Sequence, residues 1–169
     1  EVAEVVNDNG INRVRWHEVP DPGAELIPTR HQIKPSTGFV GGEGLALHDG
    51  VAYFVTKGDN RIWAYDTTTR QIDILYDAAT SSNPILTGVD NVVITPAGDV
   101  LVAEDGGNMQ IVVMTPDLQL MPLVQIVDHD GSEITGPAFD PSYQRFYFNS
   151  QRGFTGEGED GITYEITAI

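Results

Sequence analysis

The sequence predicts an all-β protein made of β-propeller blades, about three four-stranded antiparallel sheets that would form half of a six-bladed propeller. Three observations lead to this class. Apolar and polar residues alternate with period two, turn residues interrupt the alternation at short intervals, and the whole pattern returns roughly every 40–50 residues. Because propellers typically have about 4–8 blades, we expect a homo-oligomer or a missing N-terminal half to complete the ring.

The N-terminal part of the chain, residues 1–38, is predicted to hold one strand and a connecting loop. The strand "INRVRWHEV" has no repeat of its own, so we expect it to pair with the last blade, as first and last strands do in closed propellers. The proline-punctuated segment that follows, residues 20–38, is typical of a loop. The opening residues "EVAEVVNDNG" resemble the interior of a longer protein.

Residues 39–169 are predicted to form three blades, over approximately 39–79, 86–127 and 133–169. The first blade has turns at residues 48–50, 57–60 and 67–69, and the second has turns at 96–98, 106–108 and 116–117. The third begins with "GPAFDPSYQRFYFNSQRG", ends with "GITYEITAI" and lacks its outermost strand. Equivalent positions before the first strand of each blade are occupied by Glu43, Asn91 and Thr135.

The composition limits the kinds of partner. The chain has 25 acidic against 9 basic residues and a formal net charge of -16. Such a surface repels phosphate backbones and anionic lipid, so we expect neither nucleic acid nor a membrane as a partner. Acidity suits hard cations, which prefer oxygen ligands, and it also keeps an exported protein soluble. The absence of cysteine excludes thiolate nucleophiles and zinc–thiolate sites within this chain.

Several acidic residues stand where the predicted fold would bring them together. The loops that enter the innermost strands of a propeller gather at one face, and the next strand returns to that face. Crowded carboxylates repel one another unless a cation lies between them, and an oxygen-only donor set favours calcium over magnesium or manganese. The predicted metal ligands are Glu43, Asp90, Glu104 and Glu133.

A second set of residues would complete the metal's surroundings or contact a substrate: Lys57, Asn91, Asp105, Asn149 and Arg152. Simpler interpretations stay open. Asp90 and Asn91 fit turn residues that bond their own backbone, and "DG" at 105–106 fits an ordinary hairpin turn. The segment "DHDGSE", residues 128–133, hints at a calcium loop but lacks the spacing of an EF-hand. Ser132 and Ser150 lie in no nucleophile elbow.

From about Phe39 to Ile169 the chain resembles the PhoX-type alkaline phosphatases and their DUF839 relatives. The motifs are "GGEGLALHDGVAYFVTKGDNRIWAYD", "LTGVDNVVITPAGDVLVAEDGGN" and "SEITGPAFDPSYQRFYFNSQ", in the family's order. The resemblance implies an exported protein, secreted or periplasmic, that hydrolyses phosphate esters with calcium and iron at the channel mouth. It implies metal-ligand roles for Glu43 and Glu104. It also matches Glu133 with an acidic residue of the family, Asp90-Asn91 with a DN pair and Asn149 with an Asn of unassigned role.

The chain departs from this family in one respect that bears on the cofactor. The resemblance implies that iron is bound through a cysteine thiolate, and this sequence has no cysteine. Calcium is therefore the expected cofactor, and iron is expected only if another segment supplies its ligand. No residue matches the family's phosphate-binding arginine.

Three functions follow from the sequence, and whether the chain is an enzyme is left open. The first is a metal-dependent phosphoesterase acting on a small phosphorylated substrate. The second is a calcium-dependent lactonase of the gluconolactonase type, and the third is a non-catalytic propeller used as a binding scaffold.

Overall fold

The computed structural model describes residues 1–167, and these form an all-β protein of antiparallel sheets with one short 3₁₀ turn at Thr29–His31. The period-two alternation of the sequence accounts for this class, because it gives each strand one face for the core and one for solvent or a neighbouring sheet. Within the described residues, no helix has the length and apolar character needed to cross a membrane.

A two-stranded hairpin opens the chain, formed by β1 (Val2–Asp8) and β2 (Ile11–His17). The turn between them is Asn9-Gly10, with φ values of 53° and 90°. Two positive φ angles are characteristic of a type I′ turn, which Asn-Gly strongly favours. The prediction of a single strand in this region was therefore wrong, because this turn pairs Val2–Asp8 with the strand that follows.

The expected pairing of the N-terminal strand with the last blade is also wrong. β2 pairs with β1 and then touches the first blade, through an antiparallel bridge between Arg13 and Gln71. Trp16 of β2 also contacts the first blade, since its indole N–H donates to the hydroxyl of Tyr65 at 3.0 Å. The hairpin thus covers the outer part of the first blade.

Three further sheets follow in sequence, each made of strands that are consecutive in the chain. The first two have four strands each, and the third has three within the described residues. The first sheet contains β3 (Gly42–His48), β4 (Val51–Thr56), β5 (Arg61–Asp66) and β6 (Ile72–Asp77). The second contains β7 (Val89–Ile94), β8 (Val100–Glu104), β9 (Gln110–Met114) and β10 (Leu120–Gln125), and the third β11 (Ile134–Phe139), β12 (Arg145–Ser150) and β13 (Ile162–Thr167).

The sheets stack face to face, with their first strands side by side. β7 contacts β3 on one side and β11 on the other, so the first strands of the three sheets form one row. At Gly44 the approach is so close that a Cβ atom would lie 2.4 Å from the Asp90 carbonyl oxygen and 2.7 Å from the Val92 nitrogen. Glycine is required there because any side chain would push β3 away from β7.

Two apolar cores lie between the sheets. The first, between sheets one and two, includes fully buried Val55, Ile62 and Val102. The second, between sheets two and three, includes Leu101, Ile111 and Phe148. Since Leu101 and Val102 are neighbours in β8, the alternation of one strand supplies both cores, and β8 is buried on both faces.

Candidate metal centre

Three carboxylates converge where the second and third sheets meet. Asp90 lies in β7, Asp105 directly follows β8, and Glu133 directly precedes β11. One oxygen from each of the three side chains lies within 4.8 Å of the others. The side chains are largely shielded from solvent, with exposed fractions of 12% for Asp90, 22% for Asp105 and 14% for Glu133. We refer to Asp90, Asp105 and Glu133 as the acidic triad.

The backbone around Gly88 places two members of the triad side by side. The Asp105 N–H donates to the Gly88 carbonyl at 2.8 Å, which joins the start of β7 to the end of β8. Gly88 has a φ of 68°, and a Cβ atom there would lie 2.5 Å from the Asp105 carbonyl oxygen. Only glycine combines this conformation with so close a contact. Antiparallel pairing therefore returns Asp105 to the end of the sheet where Asp90 lies.

Asn91 links the triad to the third sheet. Its side-chain amide donates to the Asp90 carboxylate, and its carbonyl oxygen accepts a hydrogen bond from the Gly136 N–H at 2.9 Å. Gly136 belongs to β11, so one side chain orients Asp90 and joins the two sheets. Of the residues expected to support the metal ligands, Asn91 is thus in direct contact with the triad.

Two basic side chains flank the acidic triad. The Lys57 ammonium contacts the Asp105 carboxylate and lies 3.5 Å from Oδ2 of Asp90. An Arg152 guanidinium nitrogen lies 3.1 Å from Oε1 of Glu133. The exposed fractions of these side chains are 33% and 30%, so both reach solvent. The sequence predicts both residues near this face, and in the structure they partly neutralise the three negative charges.

Glu104, which the sequence predicts as a metal ligand, is hydrogen-bonded to the protein's own backbone. Its side chain is fully buried, Oε1 accepts the Thr87 N–H at 2.8 Å, and Oε2 accepts the Gln110 N–H at 3.0 Å. Burial raises the pKa of the carboxyl group, although the two backbone donors act in the opposite direction. Both oxygens are occupied by the protein's own backbone. Glu104 therefore joins the segment that precedes β7 to the start of β9, and its carboxylate is outside the acidic triad.

Glu43 and Asn149 also lie outside the acidic triad. Glu43 is exposed in β3, next to an irregularity in the pairing of β3 with β4. Asn149 bonds within its own sheet, since its amide donates to the Thr135 carbonyl at 3.3 Å and its oxygen accepts from the Thr163 hydroxyl at 2.7 Å. Asp105, expected only in a supporting role, stands in the triad instead. Strand alternation was the available signal, because the side chains of adjacent residues at a strand end project in different directions, so that only one of Glu104 and Asp105 faces the triad.

The donor chemistry of the triad fits a hard divalent cation. All three groups are carboxylates, which calcium and magnesium prefer, and the triad contains no imidazole or thiolate. The Asn91 amide binds Oδ1 of Asp90 and the Arg152 guanidinium binds Oε1 of Glu133, while Oδ2 of Asp90 lies 3.5 Å from the Lys57 ammonium. Lys57 is the group that a bound cation would displace, and its long, partly exposed side chain can swing into solvent.

Comparison with known proteins identifies a fold rather than a family. No protein-family model matches the chain, and no curated protein matches it in sequence. Among solved structures, the luciferin-regenerating enzyme is 19% identical with a TM-score of 0.58, over 79% of this chain and 47% of that one. TolB from Acinetobacter baumannii is 17% identical with a TM-score of 0.55, over 75% and 29%. A protein of unknown function from Bacteroides thetaiotaomicron VPI-5482 is 15% identical with a TM-score of 0.53, over 69% and 28%.

These similarities confirm the predicted fold class. The chain is an all-β protein of propeller-type blades, and TolB and the luciferin-regenerating enzyme are propeller-like structures. This chain spans less than half the length of each of the three structures. At these identities the likeness concerns the fold alone, and function must be argued from the site.

Proposed function

We propose that this chain is the cation-binding part of a β-propeller phosphoesterase, in which the acidic triad holds a divalent cation, with calcium as the first candidate. The observation that carries the proposal is the convergence of Asp90, Asp105 and Glu133 from two sheets within 4.8 Å of one another. The three shielded carboxylates carry more negative charge than Lys57 and Arg152 balance, and a divalent cation would relieve the remaining repulsion. When bound, the cation would neutralise phosphoryl charge and lower the pKa of a coordinated water.

Lys57 and Arg152 favour an anionic substrate over a neutral one. Both are already paired with the triad: the Lys57 ammonium lies 3.5 Å from Oδ2 of Asp90, and an Arg152 guanidinium nitrogen lies 3.1 Å from Oε1 of Glu133. Both side chains are partly exposed. A cation that takes over Asp90 and Asp105 would release the Lys57 ammonium toward solvent, while Arg152 stays paired with Glu133 through Nη1 and has further N–H groups. Both side chains could then donate to phosphoryl oxygens. A lactone carries no charge and would gain little from two such donors. For this reason we place the phosphoesterase before the lactonase.

The proposal also concerns the setting of the chain. A small phosphorylated substrate, an exported location and further blades that complete the ring all belong to it, and they follow from the family resemblance. The short span of the chain relative to the three solved structures is consistent with further blades, supplied either by more polypeptide or by a second copy. Iron is not included, since this chain offers no thiolate.

A non-catalytic scaffold is the second candidate, and the ion pairs favour it. Lys57 already lies against Asp105 and Asp90, and Arg152 lies against Glu133, so the triad is largely compensated without a metal. In that case Lys57 joins the first sheet to the second through charge pairs, and the Arg152–Glu133 pair links two segments of the third sheet. Partly buried pairs of this kind can hold segments in register without any ligand.

Calcium titration separates these candidates. The melting temperature of the chain is measured with increasing calcium and with a chelator, for the wild type and for Asp90→Asn. A cation at 100 times its dissociation constant should stabilise the folded state by about 2.7 kcal/mol, and Asp90→Asn should lose most of this gain. Asp117→Asn is the matched control, since within residues 1–167 the Asp117 carboxylate bonds only Thr115 of the same turn.

Hydrolysis of p-nitrophenyl phosphate and of a simple lactone is then followed under the same conditions. Phosphate release that the chelator abolishes supports the phosphoesterase, and lactone opening supports the lactonase. A chain that neither responds to calcium nor hydrolyses either compound contradicts both enzymatic functions and supports the scaffold.

A further inference from the structure

A buried chain of hydrogen bonds lies behind Glu133 and joins the segment 128–133, whose sequence hints at a calcium loop, to the end of β12. His129, Ser132 and Ser150 are exposed by only 1%, 3% and 0%. Nδ1 of His129 lies 2.7 Å from the Ser150 hydroxyl, and the Ser150 hydroxyl lies 2.9 Å from the Ser132 hydroxyl. We call His129, Ser132 and Ser150 the buried polar chain.

The buried polar chain ends at the backbone of Arg152. The Ser132 hydroxyl accepts the Arg152 N–H at 2.8 Å, and the neighbouring Gln151 N–H donates to the Glu133 carbonyl at 2.9 Å. The Arg152 side chain in turn holds Oε1 of Glu133 at 3.1 Å. Backbone and side chain of Arg152 therefore both depend on the segment that carries Glu133.

Two loops pack closely around this arrangement. Gly131 and Gly156 meet so closely that a Cβ atom at residue 131 would lie 3.1 Å from the Gly156 Cα. Above them, the ring of Phe154 covers the imidazole of His129, with ring centroids 4.1 Å apart. The segment 128–133 is thus pressed against the loop that follows β12, and the polar groups between the two loops are sealed from water.

We infer that the buried polar chain positions Glu133 in the acidic triad, by fixing the Arg152 guanidinium that holds one oxygen of that carboxylate. This inference rests on the proposed cation site and adds the residues that orient one of its ligands. A buried serine and histidine could suggest nucleophilic catalysis, but Ser150 has no exposed surface from which to reach a substrate. Groups that orient a ligand typically change metal affinity by about 10–100-fold when they are removed.

The test uses Ser150→Ala and, beside it, Ser132→Ala, so that the failure of one variant to fold leaves the other to decide. Calcium affinity is measured by calorimetry, and Tb³⁺ serves as a luminescent substitute for Ca²⁺. Luminescence lifetimes in H₂O and D₂O count the water molecules on the bound Tb³⁺. A variant in which Glu133 no longer reaches the ion should bind calcium at least about tenfold more weakly and carry about one extra water on Tb³⁺.

Thr95→Val is the matched control. The Thr95 hydroxyl also makes two hydrogen bonds, to the Asp99 N–H at 3.1 Å and to the Asp99 carboxylate at 2.9 Å, but it follows the far end of β7 from Asp90. Its loss should lower the melting temperature and leave both calcium affinity and the water count unchanged.

The outcomes separate this inference from the proposed function. Serine variants that keep the wild-type calcium affinity and water count, while melting at a lower temperature, would show a purely structural role and overturn the inference alone. A wild type that binds neither calcium nor Tb³⁺ would overturn the cation site and, with it, the positioning role.

Discussion

The buried carboxylate of Glu104 gives the sharpest test of how this fold is held together. In the substitution Glu104→Gln the side chain keeps its shape, but one carboxylate oxygen becomes an NH₂ group. That NH₂ would face the N–H of either Thr87 or Gln110, which are donors at 2.8 Å and 3.0 Å. Whichever way the amide is turned, one backbone N–H loses its acceptor and faces another donor.

The expected cost follows from this single loss. Leaving a buried donor unsatisfied costs about 1–3 kcal/mol, and we expect about 2 kcal/mol because a neutral amide is easier to bury than a charge. For a chain of this size, that corresponds to a fall of roughly 4–8 °C in melting temperature. Urea unfolding followed by circular dichroism, together with a thermal melt, measures both quantities.

The calcium response decides between the two roles considered for Glu104. If its oxygens are engaged by the backbone, Glu104→Gln should be less stable yet gain as much from calcium as the wild type. Glu165→Gln is the control, since Glu165 is exposed and lies 3.8 Å from Arg145, and it should change stability by no more than about 0.5 kcal/mol. A Glu104→Gln variant of unchanged stability that no longer responds to calcium would refute this account and make Glu104 a metal ligand.

Three further outcomes are expected. Lys57→Met removes the ammonium that competes for the triad, so calcium should bind about three- to tenfold more tightly by calorimetry; weaker binding would show that Lys57 supports the site. Gly44→Ala should cost about 1–3 kcal/mol in urea unfolding, since its Cβ would meet the backbone of β7 at 2.4 Å, whereas Gly42→Ala, with open space around it, should be nearly neutral. Burial raises the folded-state pKa of Glu104, so the stability that its protonated form contributes is fully present below the ordinary pKa of 4.5 and is lost as pH rises through the raised pKa. Glu104→Gln should therefore flatten the slope of unfolding free energy against pH in this range. An unchanged slope would show that other groups cause the pH dependence.

The sequence was sufficient for the blades because the information for a blade is local. Alternation and turn residues define each strand within a few positions, and the strands of each blade pair in chain order. The information for the hairpin at residues 2–17 was equally local, since Asn9-Gly10 is a strong sequence signal for a tight hairpin turn. It was overlooked because the strand at residues 11–19 was assigned to the last blade on the analogy of ring closure. Pairing across a tight turn is favoured over pairing with a distant strand, because the turn already holds β1 beside β2.

The membership of the acidic triad could not be settled by the sequence. Glu104 and Asp105 are adjacent, so strand alternation predicts that their side chains point in different directions. The alternation does not determine which of the two faces the neighbouring sheet. That choice depends on Thr87 and Gln110, whose backbone donors capture Glu104, and on Gly88, which lets Asp105 approach β7. Strand periodicity is a property of one segment, and it determined the blades. Which side chains meet is a property of how separate sheets pack and satisfy their backbone, and only the tertiary structure decided that.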